Sequence, residues 1–229
     1  ETVSISYPDT MKYFSKARKV VVTGNPVRKE FHGLKKEKAR KQLGILPEEK
    51  IVFITGGSLG ARSINDAVSE MVTSYEIDNF RIILASGKRD FSKIRKDLEG
   101  YERIIEVKDY IFDQHLYMAS ADLLVSRAGA ITCSETAILG KASIMIPYPF
   151  ASGDHQTMNA SSFTEVGASI VISDRKLNSK TLFTEINKLL ADDKKLKKMG
   201  DMAFSLAYPN AAQLIYFQLS KAAEKKKGK

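Results

Sequence analysis

From Ile51 onward, short apolar runs rich in Ile and Val recur with amphipathic segments between them, and few folds accept that pattern. The runs are Ile51–Thr55, Arg81–Ala85, 103–107, 123–125, 143–146 and 168–172. In the first intervening segment Ile64, Ala67, Val68, Met71 and Val72 share one helical face. Fully apolar strands alternating with helices predict right-handed crossover units on a parallel sheet. The expected fold class is α/β, a Rossmann-like parallel sheet with helices on both faces. Beyond it, helices are predicted over 181–190, 193–207 and 210–224. The last carries Ala212, Ile215, Tyr216 and Leu219 on a side that asks for a packing partner.

The first thirty residues do not belong to this pattern. Segments 2–7 and 19–23 read as two short strands around a Pro8-Asp9 turn, and two such elements cannot bury a core alone. Gly24-Asn25-Pro26-Val27-Arg28 is a turn signal suited to a linker. Residues 1–28 are therefore expected to be the end of an N-terminal domain plus a linker. Residues 29–208 form the Rossmann-like domain, and 209–229 a C-terminal helix with a basic tail.

Composition narrows the class. Hydrophobic residues at 43% and charged residues at 28% are those of an ordinary globular chain. There is no apolar run long enough to span a bilayer and no stretch that reads as a signal peptide. The single cysteine, Cys133, excludes an internal disulfide and fits a reducing cytosol. A net charge of +9 concentrates in 35–41, 194–198 and 225–229. Solvated helix faces account for it, and so does attraction to lipid headgroups or a diphosphate. Nucleic acid fits least, because no helix-turn-helix, zinc or aromatic strand-binding signature accompanies the charge.

Three stretches at strand-to-helix turns carry the candidate chemistry. Thr55-Gly56-Gly57-Ser58-Leu59-Gly60-Ala61 follows a strand and opens a helix, where glycines let the backbone approach a phosphate and the helix supplies oriented N–H donors. A plain tight turn explains it equally well. No Gly-Lys-Ser/Thr follows, so it is not a Walker loop. The next strand ends Leu84-Ala85-Ser86-Gly87-Lys88, with no carboxylate to hold a dinucleotide ribose. Thr132 and Glu135 have the spacing of a capping box. Glu135 could equally accept hydrogen bonds from a vicinal diol of a sugar. Asp154, His155, Gln156, Thr157 and Asn159 open another helix; Asp154 or Ser152 would serve as caps, whereas amides one turn apart suit sugar hydroxyls. His155 could act as a base, though nothing near it in sequence orients it. His32 and His115 read as surface or packing residues. Three histidines and one cysteine offer no metal-site spacing.

Taken in order, Gly24-Asn-Pro-Val-Arg28, Gly56-Gly-Ser-Leu-Gly-Ala61, Ser126-Arg-Ala-Gly-Ala-Ile-Thr-Cys-Ser-Glu135 and Asp154-His-Gln-Thr-Met-Asn-Ala160 resemble the MurG family, glycosyltransferase family 28. That family moves N-acetylglucosamine from UDP-N-acetylglucosamine to lipid I, giving lipid II of peptidoglycan, and has the two-domain GT-B fold. The resemblance covers nearly all of this chain but only the second half of a full-length member. It implies that Arg28 and the main chain of Ile111 read the uracil and that Ser58, with Gly57, holds the diphosphate. It implies that Ala130, Ile131, Thr132, Cys133, Ser134 and Glu135 line the nucleotide, with Glu135 on the ribose. Gln156 would contact the sugar, with Thr157 and Asn159 as weaker candidates. No catalytic base, metal or cofactor is expected in this chain. The lipid I acceptor would be met through the N-terminal domain, on the anionic inner face of the bacterial membrane. Alternatives are the donor-binding part of another UDP-sugar glycolipid transferase, or a nucleotide-sugar binding module without catalysis.

Overall fold

The computed structural model describes residues 2–227. Two short parallel strands, β1 (Thr2–Ile5) and β2 (Lys19–Val22), pair only with each other, and a 3-10 turn at Pro8–Phe14 joins them. After the linker comes α1 (Lys36–Leu43), ended by Gly44 in the left-handed conformation.

The large sheet contains β3 (Ile51–Thr55), β4 (Arg81–Ala85), β5 (Ile105–Lys108), β6 (Leu123–Ser126), β7 (Ser143–Met145) and β8 (Ser169–Val171). All pairings are parallel, in the order β5-β4-β3-β6-β7-β8. The crossovers are α2 (Arg62–Ser74), α3 (Phe91–Asp97), α4 (Gln114–Ser120), α5 (Ala130–Ile138) and α6 (His155–Glu165). Then follow α7 (Ser179–Leu190), α8 (Asp193–Ser205) and α9 (Ala211–Lys227).

β3 is buried along its whole length because both of its faces are covered. Val52 and Ile54 enter one core with Ile64, Val68 and Met71 of α2 and Leu182 and Ile186 of α7. Ile51 and Phe53 enter the other with Phe31, Met118 of α4 and Ile138 of α5. Each fully buried Ile, Leu or Phe of these two layers contributes about 1.5–3 kcal/mol relative to exposure. At the amino edge, Asp122 accepts from the Ile51 N–H at 2.7 Å and from Arg40 at 2.8 Å, tying α1 to the sheet.

The predicted apolar side of α9 is only partly covered within this chain. Ala211 is buried and Ile215 half-buried, while Ala212, Tyr216 and Leu219 are exposed. Gly228, Lys229 and the side chains from Lys225 on, which hold most of the basic tail, lie outside the described residues.

Strand order reverses between β3 and β6. Crossovers from the two strands therefore diverge and leave a crevice at their carboxyl ends, where ligands of such sheets bind. The loops after β3 and β6 are two of the three stretches singled out above.

Candidate functional site at the carboxyl edge of the sheet

The loop after β3 owes its shape to glycines. Gly57 and Gly60 have φ of +88° and +73°. A Cβ on Gly60 would overlap the Ser86 carbonyl, and one on Gly87 would overlap the backbone of Leu59 and Gly60. The loops after β3 and β4 thus touch backbone to backbone. Thr55 Oγ1 accepts from the Gly57 N–H at 3.2 Å, leaving Ser58 and Leu59 exposed at the tip. α2 begins after Ala61, beside the crevice, and among the described residues no side chain caps its first N–H groups. Ser58, Leu59, Lys88, Arg89, Tyr110 and Phe112 line a cleft of about 570 Å³ here. Ile111 anchors its side chain in the second core, and its N–H and C=O take no main-chain partner among the described residues.

Glu135 is not a cap. α5 starts at Ala130 with Gly129 as its N-terminal flank, and no side chain caps it, so Glu135 sits in the second turn. Thr132 accepts through its carbonyl from Thr136 Oγ1, an ordinary helical contact. Glu135 is 5% exposed, and Arg28 Nη2 lies 3.7 Å from its carboxylate, the one close charge among the described residues. Burial pushes its pKa up to about 7, and Arg28, itself half-exposed and 5.1 Å above the Phe31 ring, offsets only part of that. No protein donor hydrogen-bonds its oxygens among the described residues. The geometry leaves a carboxylate ready to accept.

The rest of the α5 run divides. Ile131 is exposed and Thr132 half-buried at the open end. Ser134 Oγ donates to the Ala130 carbonyl at 3.0 Å and accepts from Asn25 Nδ2 at 3.3 Å, which docks the linker on α5. Cys133 is wholly buried among Ala128, Ala137 and Met145, and burial pushes its thiol up to about 12, so its side chain is a packing group.

At the start of α6 the backbone turns through two left-handed residues, Gly153 at φ 58° and Asp154 at φ 52°. The carboxylate of Asp154 caps no helix N–H; it accepts from Thr157 Oγ1 at 2.6 Å, and that contact holds the turn. Gln156 Oε1 accepts from the Tyr148 N–H at 3.0 Å, so its amide hydrogens remain as donors. Asn159 Nδ2 donates to the Ala128 carbonyl at 3.0 Å, so its oxygen remains as an acceptor. Among the described residues each amide thus keeps one group without a protein partner, the hydrogens of Gln156 and the oxygen of Asn159.

Two supporting networks escaped sequence reasoning. Arg127 donates to Asp174 Oδ1 at 2.6 Å, to Ser63 Oγ at 2.9 Å and to the carbonyls of Ile146 and Pro147. It thereby joins α2, the loop after β6 and the loop after β7. Fully buried Asn65 donates to the Ser86 carbonyl at 2.9 Å and to Asp90 at 3.1 Å, fixing the loop after β4. Arg89 beside Asp90 holds that carboxyl below its usual range. Among the described residues no group of three or more His, Cys, Asp or Glu could hold a metal ion.

Comparison with known proteins decides the family. The glycosyltransferase family 28 C-terminal domain matches residues 51–215. The chain belongs to this family. Among curated family 28 relatives, the UDP-N-acetylglucosamine–N-acetylmuramyl-(pentapeptide) pyrophosphoryl-undecaprenol N-acetylglucosamine transferase of Acetivibrio thermocellus is 42% identical over 94% of this chain and 59% of its own length. The enzyme of the same name from Finegoldia magna is 37% identical over 96% of this chain and 60% of its own. Among solved structures, Acinetobacter baumannii MurG superposes with a TM-score of 0.77 at 26% identity, over 96% of this chain and 60% of that one. WaaG, a glycosyltransferase of lipopolysaccharide biosynthesis, shares the fold alone, at 16% identity and TM-score 0.63. The chain spans about three-fifths of the length of the curated relatives it matches. As a family 28 domain, it has the Rossmann-like α/β fold of GT-B glycosyltransferases.

Proposed function

We propose that this chain is the donor-binding part of a transferase that moves N-acetylglucosamine from UDP-N-acetylglucosamine to lipid I, forming lipid II for the cell wall. The observation that carries this reading is Glu135, a buried carboxylate without a protein donor among the described residues, in the second turn of α5 at the switch point of the sheet. Glu135 takes the ribose diol. The main chain of Ile111 and the guanidinium of Arg28 take the uracil. The Gly57-Ser58 amides and the α2 start take the diphosphate, while the first turn of α5, Ala130 to Ser134, lines the nucleotide through its main chain. Gln156 donates to the sugar, Asn159 accepts from it, and Thr157 acts through Asp154.

As UDP departs, charge develops on the diphosphate. N–H groups already aimed there stabilise it without reorganising. In this reading residues 1–28 belong to an N-terminal domain, 29–208 hold the donor and 209–229 form the C-terminal helix and tail. The acceptor and the base come from the N-terminal domain, at the inner face of the membrane. Among the described residues no helix is long and apolar enough to cross it.

Titration calorimetry tests the reading. UDP-N-acetylglucosamine should bind the 229-residue chain, and Glu135→Ala should weaken binding by about 1–3 kcal/mol, the loss of charge-assisted hydrogen bonds. Equal affinity of mutant and wild type would remove Glu135 from the site, and absence of binding to the wild type would overturn the reading.

A further inference from the structure

Arg127 stands one residue past the end of β6, outside every group assigned to the donor above. Its side chain is 11% exposed, and Nη1 donates to three acceptors: Asp174 Oδ1 at 2.6 Å and the carbonyls of Ile146 and Pro147 at 3.2 Å each. Nη2 donates to Ser63 Oγ at 2.9 Å, in the first turn of α2, and Ser63 Oγ donates in turn to Asp174 at 2.7 Å. A guanidinium offers five N–H donors in one rigid plane, and this one is taken up by three separate segments of the chain.

The loop after β7 needs that support. It reads Pro147-Tyr148-Pro149, and the two prolines have no N–H to donate. The carbonyls of Ile146 and Pro147 take no main-chain donor among the described residues, so Arg127 supplies theirs. Its guanidinium also lies 5.4 Å from the centre of the Tyr148 ring. Tyr148 contributes the N–H that Gln156 Oε1 accepts at 3.0 Å. A main-chain N–H can only donate, so Gln156 must turn its oxygen to Tyr148 and its amide hydrogens away. Control of that amide runs from Arg127 through the Ile146 and Pro147 carbonyls to Tyr148, and from there to Gln156.

We propose that Arg127 is a positioning residue for the sugar of the donor: it holds the loop whose Tyr148 N–H orients Gln156, and so makes Gln156 a donor and not an acceptor toward that sugar. The group facing Gln156 is then an oxygen with a free lone pair, a ring hydroxyl or an acetamido carbonyl. This rests on the reading above that Gln156 meets the sugar. Through Ser63 the same guanidinium ties the helix assigned to the diphosphate to the loop that orients Gln156, so one side chain links the two halves of the donor site.

The test is titration calorimetry of the 229-residue chain with UDP and with UDP-N-acetylglucosamine, read as the ratio of the two affinities. Loosening that is merely structural weakens both ligands together and leaves the ratio in place, whereas a misplaced Gln156 weakens only the sugar-bearing one. Gln156→Ala should lower the affinity for UDP-N-acetylglucosamine relative to UDP about fivefold, the worth of one hydrogen bond. Arg127→Met should lower it by a similar factor. In the double variant Arg127→Met/Gln156→Ala the fall should be no greater than in Gln156→Ala alone. Arg127→Lys keeps the charge beside Asp174 but cannot span the same acceptors, so its ratio should fall between, and it carries the test if Arg127→Met does not fold. A wild-type ratio in the Arg127 variants, with Gln156→Ala reduced, overturns the proposal and leaves the reading of Gln156 standing. A double variant whose fall is the product of the two single ones does the same. A wild-type ratio in Gln156→Ala removes Gln156 from the sugar, and the proposal falls with it.

Discussion

Glu135 shows where a local motif misleads. Its spacing from Thr132 matches a capping box, but spacing is silent about where the helix begins, and Gly129 at φ −65°, ψ 144° is extended just before Ala130. The helix therefore starts a turn too early for either residue to cap it. What sequence could not display is the burial that the second turn of α5 enforces. Burial raises the pKa from 4.5 to about 7, so between those pH values the folded chain holds a proton that the unfolded chain has lost. The stabilising contribution is complete below about pH 4.5 and disappears as pH rises through about 7. Glu135→Gln should accordingly gain on wild type by roughly 2–4 kcal/mol between pH 5 and pH 8 in denaturant unfolding. An offset that is the same at both pH values would show that Glu135 does not titrate this way. Donor binding draws on the ionised form, so below pH 7 it should release a proton. The calorimetric heat of wild type would then vary with the ionisation heat of the buffer.

Among elements, the loops decide more than the strands. The runs at Ile51–Thr55 and Arg81–Ala85 were legible to the residue, because a strand buried on both faces is apolar throughout. The contact between the loops after β3 and β4 was not legible. It joins Gly60 to Ser86 and Gly87 across a distance no local pattern spans. Arg127 and Asp174 likewise pair from opposite ends of two crossovers. Gly57 and Gly60 separate the two reasons for a glycine. Both have positive φ, but a Cβ on Gly57 meets open space and one on Gly60 meets the Ser86 carbonyl. Gly57→Ala should cost about 1 kcal/mol from backbone strain alone. Gly60→Ala should cost roughly 2–4 kcal/mol, because the two loops must also part. Chemical unfolding of the two variants measures the difference. Donor affinity should fall with Gly60→Ala, since the loop that holds the diphosphate moves. Equal costs at both positions would mean that the loops after β3 and β4 do not support one another.

At the scale of the whole molecule, alternation of strand and helix made a parallel sheet legible. The order β5-β4-β3-β6-β7-β8 depends on which way each crossover turns, and a single sequence does not carry that. The apolar side of α9 is open in this chain for the same reason, since an apolar stripe says that something should cover it and not what does. The most exposed large apolar side chains outside the C-terminal helix have an address in common. Leu59 at 78%, Phe112 at 80% and Phe150 at 82% all stand on loops at the carboxyl edge, around the proposed donor site. Monomers rarely leave several such groups exposed along one edge unless something docks there. The curated relatives are longer by about two-fifths of their length. In the transferase reading that additional part closes over this edge and supplies the base, so the chain alone should bind UDP-N-acetylglucosamine yet leave a lipid I analogue unglycosylated. Fusing to its N-terminus the part of the Acetivibrio thermocellus relative that this chain does not cover should restore transfer, read as UDP release and disaccharide formation. Phe150→Ser in that fusion should lower turnover with little effect on donor affinity in the isolated chain, because the side chain would meet the other half of the cleft and not the nucleotide. Turnover by the chain alone at the rate of the fusion would place the catalytic groups within these residues and overturn the division of labour.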